Sequence, residues 1–226
     1  MKYESIKKAV FLKRPNRFCA EILIDGEVET VHVKNTGRCR EILVEGAEVF
    51  LAEGKGEKRK TKYDLVSVYK GGRLINIDSQ APNKAAGEWF SSGKSPFGTV
   101  EVKAERTFGA SRLDFLLEKD GRRIFVEVKG VTLENDGVVS FPDAPTERGT
   151  KHLRELMGAL AQGYEAYVLF VVQMKNVKYF TPNIEHDPVF SAELIKAENS
   201  GVKILAYDCF VSENEMRIED KVEIRL

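Results

Sequence analysis

An Asp-Gly dipeptide at 120–121, set between two runs of alternating apolar residues, constrains this chain more than any other feature. A two-residue hairpin turn needs positive φ at both central positions, and Asp-Gly meets that demand at little steric cost. The flanking strands are residues 111–118 and 123–130. The turn sets Lys119 opposite Arg122, Glu118 opposite Arg123 and, further along, Asp114 opposite Glu127. Period-two alternation puts Leu113, Phe115, Leu117, Ile124, Val126 and Val128 on one apolar face and leaves Asp114, Glu127 and Lys129 together on the other. Directly opposed residues have Cβ atoms about 4.5–5.5 Å apart, and two carboxylates there repel unless something intervenes. Two readings stand side by side. One is a divalent-cation site with a lysine beside it. The other is an exposed polar face on which Glu118 and Arg123 form an ordinary cross-strand pair and the acids carry no chemistry.

With 226 residues the chain has room for one large domain or two of ordinary size. It holds no apolar run long enough to cross a bilayer and opens on no basic-then-apolar leader, so neither a membrane nor an export route is expected. Cys19, Cys39 and Cys209 are odd in number and scattered, which points to a reduced, cytoplasmic setting. His32, His152 and His186 share no ligand spacing with them, so zinc is not expected. The net charge of zero conceals an asymmetry: residues 1–83 carry 16 Lys+Arg against 12 Asp+Glu, and residues 84–226 carry 19 against 23. A basic first segment permits a nucleic-acid face without requiring one.

The two segments also differ in pattern. The first reads as short strands: residues 17–24 and 27–33 around a second Asp-Gly turn, then 49–53, 64–69 and 73–78, with one or two helical turns at 38–44. That is the pattern of a small barrel of the OB type, and its lysine-rich loop at 54–62 is equally a solvated tip or a phosphate contact. The second segment, from a short helix at 84–90, has strands at 100–108, 111–118 and 123–131. A helix at 146–162, an unbroken apolar strand at 166–172, a helix at 188–199 and a strand at 202–207 come next. It reads as an α/β sandwich with a mixed sheet, making the whole an α+β two-domain protein divided as 1–83 and 84–226. On the helix at 146–162, Leu153, Leu156, Met157 and Leu160 form the buried stripe, while Arg148, Lys151, His152 and Glu155 repeat on another face, as solvated residues or as phosphate contacts.

Three strings carry a more specific signal: Ser111-Arg112-x-Asp114-Phe115; Val126-Glu127-Val128-Lys129; and Phe141-Pro142-Asp143-Ala144-x-Thr146-x-Arg148-Gly149-x-Lys151-His152-Leu153. With His32-Val33-x-Asn35-Thr36-Gly37-Arg38 in the first segment, they resemble the sugar fermentation stimulation protein (SfsA) family over nearly the whole chain. The resemblance implies an N-terminal OB-like β-barrel and a C-terminal domain of the PD-(D/E)xK nuclease fold. It implies a DNA-binding protein, with a role in regulating sugar metabolism suggested for some members. The nuclease motif maps as Asp114, Glu127 and Lys129, with Glu88 as an additional acid on the first helix; no proline precedes Asp114.

The mechanism this resemblance implies is metal-assisted phosphodiester hydrolysis. Asp114, Glu127 and the carbonyl of Val128 would hold Mg2+ or Mn2+, and Lys129 would orient the attacking water or steady developing charge. Arg112, Asp143, Arg148, Lys151 and His152 in the second segment, with Arg38, Lys58, Arg59 and Lys60 in the first, are the expected phosphate or nucleic-acid contacts. A homodimer is allowed, since such a pair could cut both strands of DNA. The alternatives are a non-catalytic DNA-binding regulator with a vestigial nuclease fold, and a binder of small phosphorylated ligands.

Overall fold

In the computed structural model, which describes residues 1–226 apart from Thr36, Lys55, Glu57 and Lys58, both Asp-Gly turns form. Asp25 and Gly26 have φ of 52° and 85°, and Asp120 and Gly121 have 50° and 77°. The first turn joins β2 (Cys19–Ile24) to β3 (Glu27–Val33). Around it lie β1 (Ile6–Lys13), β4 (Glu48–Glu53), β5 (Tyr63–Lys70) and β6 (Arg73–Asn76). Strand order β3-β2-β1-β4-β5, closed by the parallel pairs His32↔Asp64 and Val33↔Leu65, makes a five-stranded barrel, and β6 extends the sheet beyond β5. Residues 38–44 do not become a helix. The chain makes a single turn there, closed by Ile42 N at 3.3 Å and Leu43 N at 2.8 Å, both on Cys39 O, and Cys39 itself has φ +48°.

The second segment opens with α1 (Ala81–Ser91), three residues earlier than the predicted start at Lys84, with Pro82 in the first turn where no N–H is needed. Next come β7 (Glu101–Phe108), β8 (Ser111–Lys119), β9 (Arg122–Val131), β10 (Leu133–Asn135), β11 (Val138–Phe141) and α2 (Glu147–Ala161). The chain ends with β12 (Glu165–Val172), β13 (Tyr179–Pro182), α3 (Pro188–Asn199), β14 (Lys203–Val211), β15 (Met216–Lys221) and β16 (Glu223–Ile224). The main sheet runs β15-β14-β12-β9-β8-β7, parallel at its centre and antiparallel at both edges, and a smaller sheet runs β10-β11-β13-β16. Thr146 and Asp187 cap α2 and α3, accepting from the N–H groups of Gly149 and Phe190.

Alternation sorts the main sheet into two packed faces. Ile124, Val126 and Val128 pack toward α1 with Ala85, Ala86 and Phe90. Phe125 packs toward α2 and α3 with Leu153, Leu156 and Leu194. Strand β12 is covered on both faces, as its unbroken apolar run predicts. The α2-side cluster continues without a break into the barrel interior, and Gln173 bonds Asn76 and Asp78 across the junction at 2.9–3.2 Å.

Two hairpin expectations need correction. Leu113 does not share a face with Phe115; it packs on the α2 side, because β8 rolls at Asp114, where the rung to Glu105 (φ +52°) is missing between two intact ones. Glu118 and Arg123 stand opposite each other in register without pairing. Glu118 meets Lys103 at 2.6 Å, and the guanidinium of Arg123 lies over the Tyr164 ring.

Candidate active site

The ladder between β8 and β9 follows the register set by the turn as far as Phe115↔Val126 and then stops. Beyond that point Asp114 takes over the role of a strand partner: its Oδ2 accepts from the backbone N–H of Val128 at 2.8 Å. Its Oδ1 accepts from the side chain of Asn83, in the first turn of α1, at 2.7 Å. On the neighbouring strand Glu127 is 2% exposed. Its Oε1 accepts from Lys129 Nζ at 2.7 Å and from Nδ1–H of His152 on α2, while its Oε2 is buried and has no hydrogen-bond partner among the described residues. Arg148, one turn earlier on α2, donates to Nε2 of His152 at 3.5 Å.

The electrostatics of the two acids diverge. Burial and the neighbouring Glu127 charge hold the Asp114 carboxyl above its ordinary range, against the pull of the Val128 N–H, Lys129 and Asn83. Burial pushes Glu127 the same way, but His152 and Lys129 outweigh it and bring its carboxyl below the usual value. The chain therefore holds one carboxylate ionised by its partners and a second that is costly to ionise beside it. Among the described residues no three His, Cys, Asp or Glu side chains converge as a metal-binding group, so the donor set here is two carboxylates and backbone carbonyls.

The other predicted residues divide by location. His152 is 4% exposed, turned inward onto Glu127 rather than outward to a phosphate. Arg148 and Lys151 are exposed, with Lys151 Nζ donating to the carbonyl of Ala110 at 3.0 Å. Arg112 is exposed and pairs with Glu105 at 3.4 Å. Asp143 lies across the domain junction against the backbone of Gly37, the residue before Arg38; a Cβ at Gly37 would overlap its carboxylate. Glu88 lines the same cleft as Asp114 but is engaged elsewhere, with the ammonium of Met1 at 2.6 Å. Asn83 is the α1 side chain that reaches Asp114, and no sequence signal singles it out.

That cleft is an open space of about 1210 Å³ between barrel and second domain, with Asp114, Asn83 and Lys84 on one side and Lys34, Arg59 and Asp64 on the other. Arg59 does not stand free in a loop. It pairs with Asp64, which also meets Lys34 at 2.9 Å and His32 at 3.0 Å, and these three partners offset burial to lower the Asp64 carboxyl. Lys60 is exposed, and Lys58 lies outside the described residues.

A closed OB barrel joined to a mixed-sheet domain whose central hairpin carries two acids and a lysine defines a two-domain protein with an OB module at its N-terminal end. Within that class the chain belongs to the sugar fermentation stimulation protein (SfsA) family. Family models for the SfsA N-terminal OB domain and the sugar fermentation stimulation protein RE domain match residues 12–77 and 80–215. The chain is 58% identical to a sugar fermentation stimulation protein homolog of Desulfitobacterium hafniense, over 100% of this chain and 99% of the relative. It is 51% identical to a homolog of Ruminiclostridium cellulolyticum over the full length of both. A solved structure of Pyrococcus furiosus SfsA in complex with Ca2+ superposes with a TM-score of 0.91 at 28% identity, covering 100% of this chain and 98% of the other.

Proposed function

We propose that this protein is a DNA-binding, divalent-metal-dependent phosphodiesterase whose working groups are Asp114, Glu127 and Lys129. The observation that carries the reading is the unpartnered, buried Oε2 of Glu127 beside an Asp114 carboxyl that burial and Glu127 make costly to ionise. Buried polar atoms are normally satisfied, and two carboxylates crowded together call for a cation. The donor set suits a hard ion, because Mg2+ is commonly held by one or two carboxylates and keeps waters and substrate oxygens for the rest. Asp114, Glu127 through Oε2, and the carbonyl of Val128 are the residues that would hold it. A bound ion of this kind supplies charge neutralisation on a phosphate and a water of lowered pKa. The Ca2+ in the Pyrococcus furiosus structure is consistent with a divalent ion in a relative.

The chain's own groups then have distinct tasks. Asn83 and the Val128 N–H fix both oxygens of Asp114, so its carboxylate is oriented before any substrate arrives. His152 and Lys129 occupy Oε1 of Glu127 and keep that acid ionised. Lys129 also provides a fixed positive charge beside the position of a scissile phosphate. Arg148 and Lys151, exposed on α2, are placed to meet flanking phosphates, and a role in regulating sugar metabolism would stem from acting on or holding DNA.

The test is cleavage of labelled single-stranded and duplex DNA with Mn2+ or Mg2+. We expect cleavage by the wild type and loss of about 10³-fold or more in Asp114→Ala, as for removal of a metal-binding group that acts in the transition state. Absence of cleavage of any DNA would remove the enzyme. One observation favours the second reading, a non-catalytic DNA-binding protein: Glu127 is almost wholly enclosed and Oε1 already has two partners. DNA binding indifferent to both EDTA and Glu127→Gln would select it.

A further inference from the structure

We infer that the rim of the barrel around Phe18 is a binding platform for single-stranded nucleic acid, which makes unpaired strands the substrate class of the site proposed above. The inference rests on that reading for its purpose, but not for its evidence. Phe18 is 59% exposed, yet its backbone is pinned: its N–H donates to Asn16 Oδ1 at 2.8 Å and its carbonyl accepts from Val33 N at 2.7 Å. An exposed ring on a fixed backbone loses little entropy when something stacks on it.

The surroundings are equally built. The guanidinium of Arg14 donates to the carbonyls of Arg17, Asn35, Gly37 and Arg38, drawing the β1–β2 loop and the segment after β3 onto one centre. This clamp brings Arg17 and Arg38 to the same rim. Both are exposed, and among the described residues neither side chain has an ion-pair or hydrogen-bond partner. Exposed cations on the same rim as an exposed aromatic ring are the elements with which OB barrels hold single strands, by charge along the backbone and stacking on the bases. The β1–β2 loop is one of the loops through which OB barrels bind oligonucleotides.

The rim also leads toward the acids. A crevice of about 110 Å³ runs from Asn35 past Asp143 to Gly130, the residue after Lys129. Asp143 and Glu41 are the acidic groups nearby, with Asp143 seated against Gly37. Asn35, whose carbonyl Arg14 holds, is the residue that the rim and this crevice share, so a strand leaving Phe18 on that side would pass toward the Lys129 end of β9.

The experiment is fluorescence anisotropy in EDTA on the Asp114→Asn protein, with a single strand of about 16 nucleotides, the upper site size of one OB barrel, and its duplex as probes. We expect tighter binding of the single strand and a loss of about 5- to 150-fold in Phe18→Ala, equivalent to one stacked base. Phe18→Tyr should restore binding and Phe18→Leu should not, with thermal midpoints unchanged because the ring is exposed. Arg38→Ala should lower the salt slope by about 0.7, one phosphate contact on a single strand. Duplex bound as tightly as single strand, or Phe18→Ala binding unchanged, overturns the inference. Because the readout is binding and not cleavage, an inactive enzyme can still pass and an active one can fail.

Discussion

Replacing Asp114 by asparagine should stabilise the metal-free protein, and that outcome separates a functional acid from a structural one. Its two hydrogen bonds survive the change: the introduced amide can accept from the Val128 N–H through its oxygen and donate to Asn83 once the Asn83 amide turns over. What disappears is repulsion with Glu127. Two unit charges about 5 Å apart at an effective dielectric of about 20 repel by roughly 3 kcal/mol, and the opposing attraction of Lys129 leaves a gain of about 1–2 kcal/mol. For a chain of this size that is a rise in Tm of about 2–8 °C in EDTA. The pH dependence comes from the raised Asp114 carboxyl. Its folded form takes up a proton more readily than the unfolded chain, so the wild type loses stability as pH rises from the ordinary value of 3.8 through the raised one. The advantage of Asp114→Asn should be complete at neutral pH and vanish below that window. Saturating Mn2+ should reverse the order, since an ion at 100 times its Kd adds about 2.7 kcal/mol to the wild type alone. Differential scanning fluorimetry with and without Mn2+ reads both arms. A variant less stable than wild type in EDTA at pH 7 would refute the reasoning.

Two further substitutions probe the shell around the acids. His152→Ala leaves Glu127 buried with Lys129 as its remaining partner among the described residues and should cost about 2–4 kcal/mol, read as a lower urea midpoint at unchanged slope; a loss below about 0.5 kcal/mol would mean the contact carries no weight. Gly130→Ala would put a methyl 2.7 Å from Pro82 Cγ and closer still to Gln173 Oε1, so it should cost about 1–3 kcal/mol by equilibrium unfolding, and a neutral result would show that the packing of α1 on β9 yields easily.

The hairpin was legible because a turn with positive φ at both positions fixes register, and register fixes which side chains share a face. Glu127 and Lys129 fall together for that reason. Asp114 was legible as a neighbour but not as a strand partner, since nothing local announces that β8 rolls there and that a carboxylate replaces a carbonyl on Val128 N. The inward turn of His152 depends on an acid 25 residues away, so a helical wheel assigns it to the wet face with Arg148 and Lys151. Strand β1, with its lysines at Lys7, Lys8 and Lys13, lacks clean alternation, and the short strands β10, β11, β13 and β16 exist through pairing rather than propensity. Asp136-Gly137, with φ of 49° and 85°, carries the same turn signal as the other two hairpins and marks the one between β10 and β11.

The claim on which the account stands is that Asp114 and Oε2 of Glu127 share a divalent cation. Crystals soaked in Mn2+ and measured near the manganese absorption edge test it directly. The account predicts an anomalous peak within coordination distance of both carboxylates, absent in Asp114→Asn. A peak found only elsewhere, or none beside a Glu127 still held by His152 and Lys129, would contradict it.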